Sequence, residues 1–143
     1  MSLILAALGC GGTPPTDLGP ANGSLAPCAP GARNCVHTGL RYPDGTEGMY
    51  LDTDVPSSEL MARIRSVVES LPRTAVVAES SGYLRAEARS LLFRFVDDVE
   101  LLVTADGELV VRSASRVGRG DLGVNRKRVE RLRDGLREAG VIR

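Results

Sequence analysis

The sequence predicts a two-layer α+β domain, in which an antiparallel sheet of about four strands carries two helices packed on one face. Two observations lead to this prediction. Apolar residues recur at helical spacing in residues 57–71 and 125–139, whereas residues 74–115 follow the two-residue period of β-strands. Helices that flank a run of strands in the chain favour an antiparallel sheet that is covered on one side.

A helix is predicted on each side of the strand region. Ser57 or Ser58 can cap the first helix, and Pro72 ends it because proline lacks the N–H that a helix interior needs. Its apolar stripe consists of Leu60, Ile64, Val67, Val68 and Leu71. Asn125 is the predicted N-cap of the second helix, and Gly140 is predicted to end it. The apolar stripe of that helix consists of Val129, Leu132, Leu136 and Ala139.

The strands are predicted from alternation and turn residues. Thr74 to Glu79 forms one strand, and Tyr83 to Arg89 alternates strictly between a charged face and an apolar face. The apolar residues from Leu91 to Val96 indicate either a bulged continuation of that strand or a buried turn. The strands that follow meet at Asp106-Gly107, a dipeptide typical of β-hairpins.

The hairpin sets a register if Asp106 and Gly107 are a two-residue turn. Ala105 then pairs with Glu108, and the side chains farther along both strands take fixed faces. The register predicts a cross-strand ion pair of Asp97 with Arg116 and, on the opposite face, a polar cluster of Asp98, Glu100, Ser113 and Ser115. Both clusters have a structural explanation, because carboxylates held by arginine and serine are common in folded proteins.

The loop V-G-R-G-D-L-G-V leads from the hairpin into the second helix. A glycine-bearing loop at a helix N-terminus, with arginines on both sides, is suited to binding an anion. The arginines concerned are Arg116, Arg119, Arg126 and Arg128. The alternative is that Asp121 and Asn125 organise the turn while the arginines are solvated or paired.

Composition limits the classes of function. The 143 residues suffice for one domain with one core, and a formal net charge of zero gives no general reason to expect nucleic acid as a partner. With only three tyrosines, two phenylalanines and no tryptophan, no platform for stacking bases is expected. The basic residues are concentrated between Arg112 and Arg133, and all of them except Lys127 are arginines. Arginine forms forked hydrogen bonds with carboxylates and phosphates.

The N-terminus M-S-L-I-L-A-A-L-G-C resembles a bacterial lipoprotein signal over residues 1–10, in which Cys10 becomes the lipidated first residue. Residues 11–34 are rich in Gly, Pro and Ala, a composition typical of a tether. A single α+β domain is predicted over residues 35–143. These features predict a protein of the bacterial cell envelope that is attached to the membrane through a lipid on Cys10. The alternative is a frayed N-terminal tail without function.

The three cysteines fit an exported protein. If Cys10 is lipidated, Cys28 and Cys35 remain as a pair and are expected to form a disulfide in an oxidising compartment. The alternative is a metal site made of Cys28, Cys35 and His37, the only histidine. That set offers at most three ligands at a spacing that matches no usual zinc pattern, so neither a metal nor another cofactor is predicted.

Three segments occur in the order F-R-F-V-D-D-V-E, V-R-S-A-S-R-V-G and D-L-G-V-N-R-K-R, after the tripeptide Asn34-Cys35-Val36. Together they resemble the domain-of-unknown-function family DUF1499, over most of residues 28–137. The resemblance implies a short bacterial envelope or lipoprotein-like protein and carries no activity. The positions that match the motifs are Cys35, Ser90, Phe95, Asp97, Asp98, Glu100, Arg112, Ser113, Ser115, Arg116, Asp121, Gly123, Asn125 and Arg128.

Two functional hypotheses remain. The first is a non-catalytic envelope module that binds an anionic ligand or an envelope protein through the Arg-rich loop and a sheet face. The second is a small hydrolase that uses Asp98 or Glu100 with Ser113 or Ser115. It is the less favoured because His37 is the only histidine available as a base. A cleft lined by Asp98 and Glu100 would favour the enzyme, whereas a filled network of arginines and carboxylates would favour the module. The candidate ligand-binding or structural residues are Asp97, Asp98, Glu100, Arg112, Ser113, Ser115, Arg116, Asp121, Asn125 and Arg128.

Overall fold

The computed structural model describes residues 11–39 and 46–143. Within these ranges the chain forms a five-stranded antiparallel sheet and two α-helices, which is an α+β architecture. The elements in chain order are β1 (Cys35–His37), α1 (Ser57–Glu69), β2 (Thr74–Ser80), β3 (Tyr83–Arg89), β4 (Val96–Val103), β5 (Leu109–Ser115) and α2 (Val124–Glu138). The predicted signal in residues 1–10, with Cys10, lies outside the described residues.

The sheet is a meander with one added edge strand. Strands β2 to β5 pair with their neighbours in chain order, and β1 pairs with the outer edge of β5, so the strand order is β1-β5-β4-β3-β2. The predicted number of about four strands was one short. Strand β1 is only three residues long, and such a segment gives too little alternation for a prediction from sequence.

Both helices cover one face of the sheet, as predicted. Ile64 and Val68 of α1 and Leu132 and Leu136 of α2 are fully buried in one core, with inward-facing residues of β3, β4 and β5. The two helices also contact each other. A Cβ at Gly135 would lie 2.8 Å from Val67 Cγ1, so the helices approach at a point where only glycine fits. Among the described residues, no helix has the length and apolar composition needed to cross a bilayer.

The predicted register of the β4–β5 hairpin was wrong by one residue. Asp97 pairs with Ser115 rather than Arg116, and Glu100 pairs with Arg112. The loop has three residues, 105–107, because the Thr104 N–H donates to the Glu108 carbonyl oxygen at 2.9 Å. Gly107 has a φ of 81°, which suits the left-handed last position of such a loop.

This shift rearranges the two predicted polar clusters. A slip of one residue moves every side chain of a strand to the opposite face. Ser113 and Ser115 therefore share the helix-covered face with Asp97, whereas Arg112 and Arg116 lie on the other face with Asp98 and Glu100. The predicted pair of Asp97 with Arg116 does not form, and the predicted cluster of two carboxylates with two serines is divided between the faces.

The second face of the sheet is partly covered by the N-terminal segment. Leu25 is 2% exposed and packs with Tyr83, Leu102 and Val110, and the Gly19 N–H donates to Glu100 at 2.7 Å. Residues 11–34 thus differ from the unpacked tether that their composition suggests. Leu25 and the hydrogen bond to Glu100 both hold this Gly- and Pro-rich segment on the sheet.

The predicted disulfide between Cys28 and Cys35 is confirmed. The two cysteines are bonded, with their Cα atoms 5.7 Å apart, and Cys35 lies in β1. The bond therefore attaches the N-terminal segment to the sheet edge. Since both thiols are consumed, the alternative metal site of Cys28, Cys35 and His37 is wrong.

The helix caps also differ from the prediction. No side chain caps α1, which follows Pro56, so neither Ser57 nor Ser58 has the predicted role. Helix α2 begins at Val124 after Gly123, so Asn125 lies inside its first turn and is not the N-cap.

The segment after β3 is neither a strand nor a buried turn. Strand β3 ends at Arg89, and residues 90–95 form an exposed loop that joins it to β4. The loop is closed at its base, where the Ser90 N–H donates to the Phe95 carbonyl oxygen and the Phe95 N–H donates to Ser90 Oγ, both at 2.9 Å.

Candidate functional site

Asp98 is the centre of a charged network on the face of the sheet opposite the helices. It is 1% exposed and accepts two hydrogen bonds from Arg116, from Nε at 2.7 Å and from Nη2 at 2.8 Å. Arg116 Nη2 also donates to Glu87 at 2.7 Å, and Arg85 Nη1 donates to Asp98 at 3.3 Å. The hydrogen bond to Asp98 raises the pKa of Arg116, against the opposing effect of burial. The network is filled and charge-balanced.

Glu100 lies beside this network and is fully buried. Its Oε1 accepts hydrogen bonds from the Tyr83 hydroxyl at 2.8 Å and from the Gly19 N–H at 2.7 Å, and its Oε2 accepts from Arg112 at 3.3 Å. Arg112 also lies 3.6 Å from Asp17 in the N-terminal segment. Burial, together with the hydrogen bond to Glu100, raises the pKa of Tyr83. Both oxygens of Glu100 are therefore occupied by groups of the protein itself.

Asp97 belongs to a separate network on the helix-covered face. Its Oδ2 accepts a hydrogen bond from Arg128 Nη2 at 2.8 Å. Arg128 Nη1 donates to Ser113 Oγ at 3.0 Å and to Asn125 Oδ1 at 2.8 Å, and the Ser113 hydroxyl donates to Asn125 Oδ1 at 2.6 Å. These bonds join the second helix to the start of strand β4 and to strand β5.

Asn125 and Asp121 connect this network to the loop before α2. Asn125 Nδ2 donates to Ser115 Oγ at 2.9 Å and to Asp121 Oδ2 at 2.7 Å. Asp121 holds the loop against the start of the helix, because its two oxygens accept from the backbone N–H groups of Gly123 and Asn125 at 2.8 and 3.0 Å. Burial tends to raise the pKa of Asp121, but the hydrogen bonds from Asn125 and Gly123 outweigh it, so the pKa of Asp121 is lowered.

These two networks leave little room for the hydrolase hypothesis. Asp98 and Glu100 do lie on one face, but each is buried and bonded to arginine, and the serines are on the other face. Within residues 11–39 and 46–143, no three His, Cys, Asp or Glu side chains are grouped so as to hold a metal ion. Asp98 and Glu100 thus lie in a filled network of arginines and carboxylates.

A basic pocket lies at the end of the sheet where β3 ends and β4 begins. Its volume is about 200 Å³, and we define it by its lining residues Leu71, Pro72, Arg73, Arg89, Val124, Lys127, Arg128 and Arg131. Five of these residues are basic and none is acidic. The loop between α1 and β2, the end of β3 and one side of the first turns of α2 meet here, and each supplies at least one cation.

The basic residues of this pocket differ in how they are paired. Arg128 is bonded to Asp97, and Arg89 Nη2 lies 3.5 Å from Glu87. Arg73 Nε donates only to the Arg89 carbonyl oxygen, at 3.0 Å. In the described part of the chain, Lys127, Arg131 and Arg73 form no ion pair. The pocket therefore holds three exposed cations whose charges are not compensated by a neighbouring carboxylate.

The arginines that were selected from the sequence have three different environments in the structure. Arg116 and Arg112 turn inward to carboxylates, whereas Arg128 reaches the pocket while it also holds Asp97. Arg126, which we expected beside the glycine loop, bonds to Thr46 instead. The anion site at the glycine loop stays a prediction, and the Asp121 carboxylate lies at the start of the helix.

Sequence reasoning missed most of the basic pocket. Lys127 and Arg131 are four residues apart on a helix and so lie on one side of it, a signal that the sequence does contain. Arg73 and Arg89 belong to different elements, 16 residues apart, and only the β2–β3 pairing brings them together. No local sequence pattern indicates that Lys127 and Arg131 lie beside Arg73 and Arg89.

Comparison with known proteins gives a family. A search of curated proteins found no match. The family model described as "Protein of unknown function (DUF1499)" matches residues 24–136, which include every strand of the sheet and most of α2. The match covers most of the chain and includes the whole basic pocket, so the chain belongs to the DUF1499 family.

Proposed function

We propose that this chain is a non-catalytic module of the bacterial cell envelope that binds an anionic ligand in the basic pocket. The observation that carries the proposal is that five basic residues and no acidic residue line one pocket, and that three of the five, Arg73, Lys127 and Arg131, form no ion pair in the described part of the chain. The other arginines with prominent motif positions, Arg112 and Arg116, are bonded to buried carboxylates and have a structural role. Binding is therefore assigned to the residues whose charges remain available.

The first turn of α2 carries positive charges that do not stabilise the helix end. The first turn of α2 holds Arg126, Lys127 and Arg128 and has no acidic residue. Because the N-terminal end of a helix carries a partial positive charge, cations are disfavoured there. Lys127 and Arg131 are also a like-charged pair four residues apart, which destabilises a helix by a few tenths of a kcal/mol. A bound anion would offset both effects.

Two observations support a location in the cell envelope. The disulfide between Cys28 and Cys35 is of the kind that persists in oxidising compartments. The sequence before it resembles a lipoprotein signal that ends at Cys10. In this proposal a lipid on Cys10 holds the module at the membrane, and the basic pocket faces the periplasm or the exterior. An anionic group on an envelope protein is the other partner that the same charges would accept.

The test is calorimetric titration with inorganic pyrophosphate, a multivalent anion probe, on two variants that remove the same charge from the same helix. Lys127→Gln/Arg131→Gln changes the pocket, whereas Arg126→Gln/Arg137→Gln changes exposed arginines of α2 that do not line it. We expect the pocket variant to bind at least about tenfold more weakly than wild type, the loss of one or two charge-assisted bonds. Equal affinities of the two variants, or no binding by the wild type, would overturn the proposal.

A further inference from the structure

The loop between β3 and β4 exposes large apolar side chains. Leu91 is 71% exposed, Leu92 80% and Phe93 69%. The loop is not loose, since Ser90 and Phe95 close its base with two hydrogen bonds, and the rings of Phe93 and Phe95 stack with centroids 5.6 Å apart. A closed loop that presents three adjacent apolar side chains to solvent is typical of a site that contacts another surface.

A second exposed apolar group lies at the same end of the molecule. Leu122 is 97% exposed, in the loop before α2, and Val124 is also exposed. Phe95 and Val124 line one shared depression, which places the two loops side by side. An apolar tip at one end of the sheet consists of Leu91, Leu92, Phe93 and Leu122. We call this end of the molecule the docking end.

Basic residues surround the docking end. Arg94 lies within the apolar loop itself and lines a groove with Arg73 and Arg89, two residues of the basic pocket. Lys127 and Arg131 lie on the other side of that pocket. The docking end thus combines an apolar tip with a positively charged rim, the pattern of a surface that binds an anionic membrane interface.

The start of the described chain is found at the same end. A Cβ at Gly11 would lie 2.9 Å from Val96 Cγ2 and 3.9 Å from Arg89 Nη1. Val96 is the first residue of β4 and directly follows the apolar loop. Gly11 is the residue after Cys10, so a lipid on Cys10 would be attached close to the docking end. The position of Gly11 therefore agrees with a membrane surface at this end of the sheet.

We propose that the docking end inserts into the interface of an anionic phospholipid bilayer, with Leu91, Leu92 and Phe93 among the acyl chains. Arg73, Arg89, Arg94, Lys127 and Arg131 contact the headgroup phosphates. The proposal rests on the proposed function in one respect, because it names a phospholipid headgroup as the anion of the basic pocket. A second copy of the chain is a less suitable occupant, since two such ends facing each other would bring like charges together.

The test is co-sedimentation with vesicles of phosphatidylcholine, with and without phosphatidylglycerol. The full chain carrying Cys10→Ser serves as the parent, so that no lipid is attached and the N-terminal residues are common to all samples. Leu92→Ser/Phe93→Ser changes the apolar tip. Tyr50→Ser is the control, because Tyr50 is exposed and lies beside Glu108 at the far end of the sheet. Circular dichroism checks that each variant is folded.

We expect the parent to bind vesicles that contain phosphatidylglycerol more tightly than pure phosphatidylcholine, and salt to weaken the binding. The tip variant should bind these vesicles at least about tenfold more weakly than the parent, while Tyr50→Ser binds like the parent. Pyrophosphate affinity should be unchanged in the tip variant, because its substitutions lie outside the pocket. Lys127→Gln/Arg131→Gln should weaken vesicle binding about fivefold for each charge removed.

Each negative result of these experiments bears differently on the docking proposal and on the proposed anion pocket. If the tip variant and Tyr50→Ser bind vesicles equally, the docking proposal is overturned, because the N-terminal residues would then be responsible for vesicle binding. A parent that binds pyrophosphate but not vesicles overturns the docking proposal and leaves the anion pocket. If vesicle binding depends on the tip but the protein does not bind pyrophosphate, only the proposal of an anion-binding pocket is overturned. A parent dimer in sedimentation velocity that the tip variant abolishes, without vesicle binding, would assign the tip to a second copy.

Discussion

Replacing Arg116 by methionine should be among the most destabilising single changes on the face opposite the helices. Methionine keeps much of the side-chain length but removes three hydrogen bonds, two to Asp98 and one to Glu87. Asp98 is 1% exposed and would keep only the 3.3 Å bond from Arg85. Removing one partner of a buried ion pair leaves a charge without compensation, which costs about 3–5 kcal/mol. A domain of this size is stable by only about 5–15 kcal/mol, so the loss is large.

The same reasoning predicts that a second substitution will restore much of the stability. In Arg116→Met/Asp98→Leu the buried carboxylate is removed as well, and Arg85 and Glu87, 3.6 Å apart, remain as a balanced pair. Replacing both members of a buried pair by apolar residues is often nearly neutral. We therefore expect the double variant to be at least about 1 kcal/mol more stable than the sum of the two single effects predicts.

The assay is urea unfolding followed by far-ultraviolet circular dichroism, since the chain has no tryptophan for fluorescence. Arg63→Ala is the control, because it removes an ion pair with Glu59 in which both side chains are largely exposed. Exposed pairs contribute at most about 1 kcal/mol. A loss below about 1 kcal/mol for Arg116→Met, or strictly additive effects in the double variant, would refute the account of the network.

Further predictions concern Asp121, the buried tyrosine and the N-terminal segment. Because the pKa of Asp121 is lowered, its ionised carboxylate stabilises the folded state above a pH of about 4, and this stabilisation is lost as the pH falls further. The urea midpoints of wild type and Asp121→Asn should therefore converge in acid. The raised pKa of Tyr83 has the opposite consequence: stability should fall as the pH rises above about 10, and less steeply in Tyr83→Phe. Leu25→Ala should cost about 2–3 kcal/mol in urea unfolding if the N-terminal segment packs as described, and no loss would contradict that packing. Reducing the Cys28–Cys35 bond should cost about 2–3 kcal/mol, since the loop it closes is short; an unchanged midpoint would show that the segment is held without it.

Periodicity was sufficient to predict the α+β class and the position of both helices. Leu60, Ile64 and Val68 follow helical spacing, and their burial against the sheet is what that spacing requires. Strand β3 was also predictable, because its charged and apolar residues alternate without interruption from Tyr83 to Arg89. These patterns are local, and tertiary packing did not override them.

The hairpin register was not predictable from its turn residues. Asp106-Gly107 suits a two-residue turn, but it suits equally a three-residue loop in which glycine takes the left-handed position. The choice moves Arg112 and Arg116 from one face of the sheet to the other, and with them the partners of Asp98 and Glu100. The sequence therefore identified the charged residues but not how they are paired.

The basic pocket and the apolar tip were missed for different reasons. Arg73 and Lys127 are brought together by the packing of α1 and α2 on one face, which no sequence pattern encodes directly. Leu91 to Phe93 resemble core residues in composition, and hydrophobicity alone does not distinguish a buried segment from an exposed one. The pocket depends on tertiary packing and the tip depends on exposure, and both are properties of the folded chain.

The most direct test of the binding proposal is a two-dimensional ¹H–¹⁵N correlation spectrum of the protein during titration with inorganic pyrophosphate. The account predicts that the amide signals of Arg73, Arg89, Lys127 and Arg131 shift together and saturate at one ligand concentration, because these residues line one pocket. Signals of Glu100 and Arg112, on the other face, should stay in place. Shifts confined to that other face, or none near the basic pocket, would contradict the account.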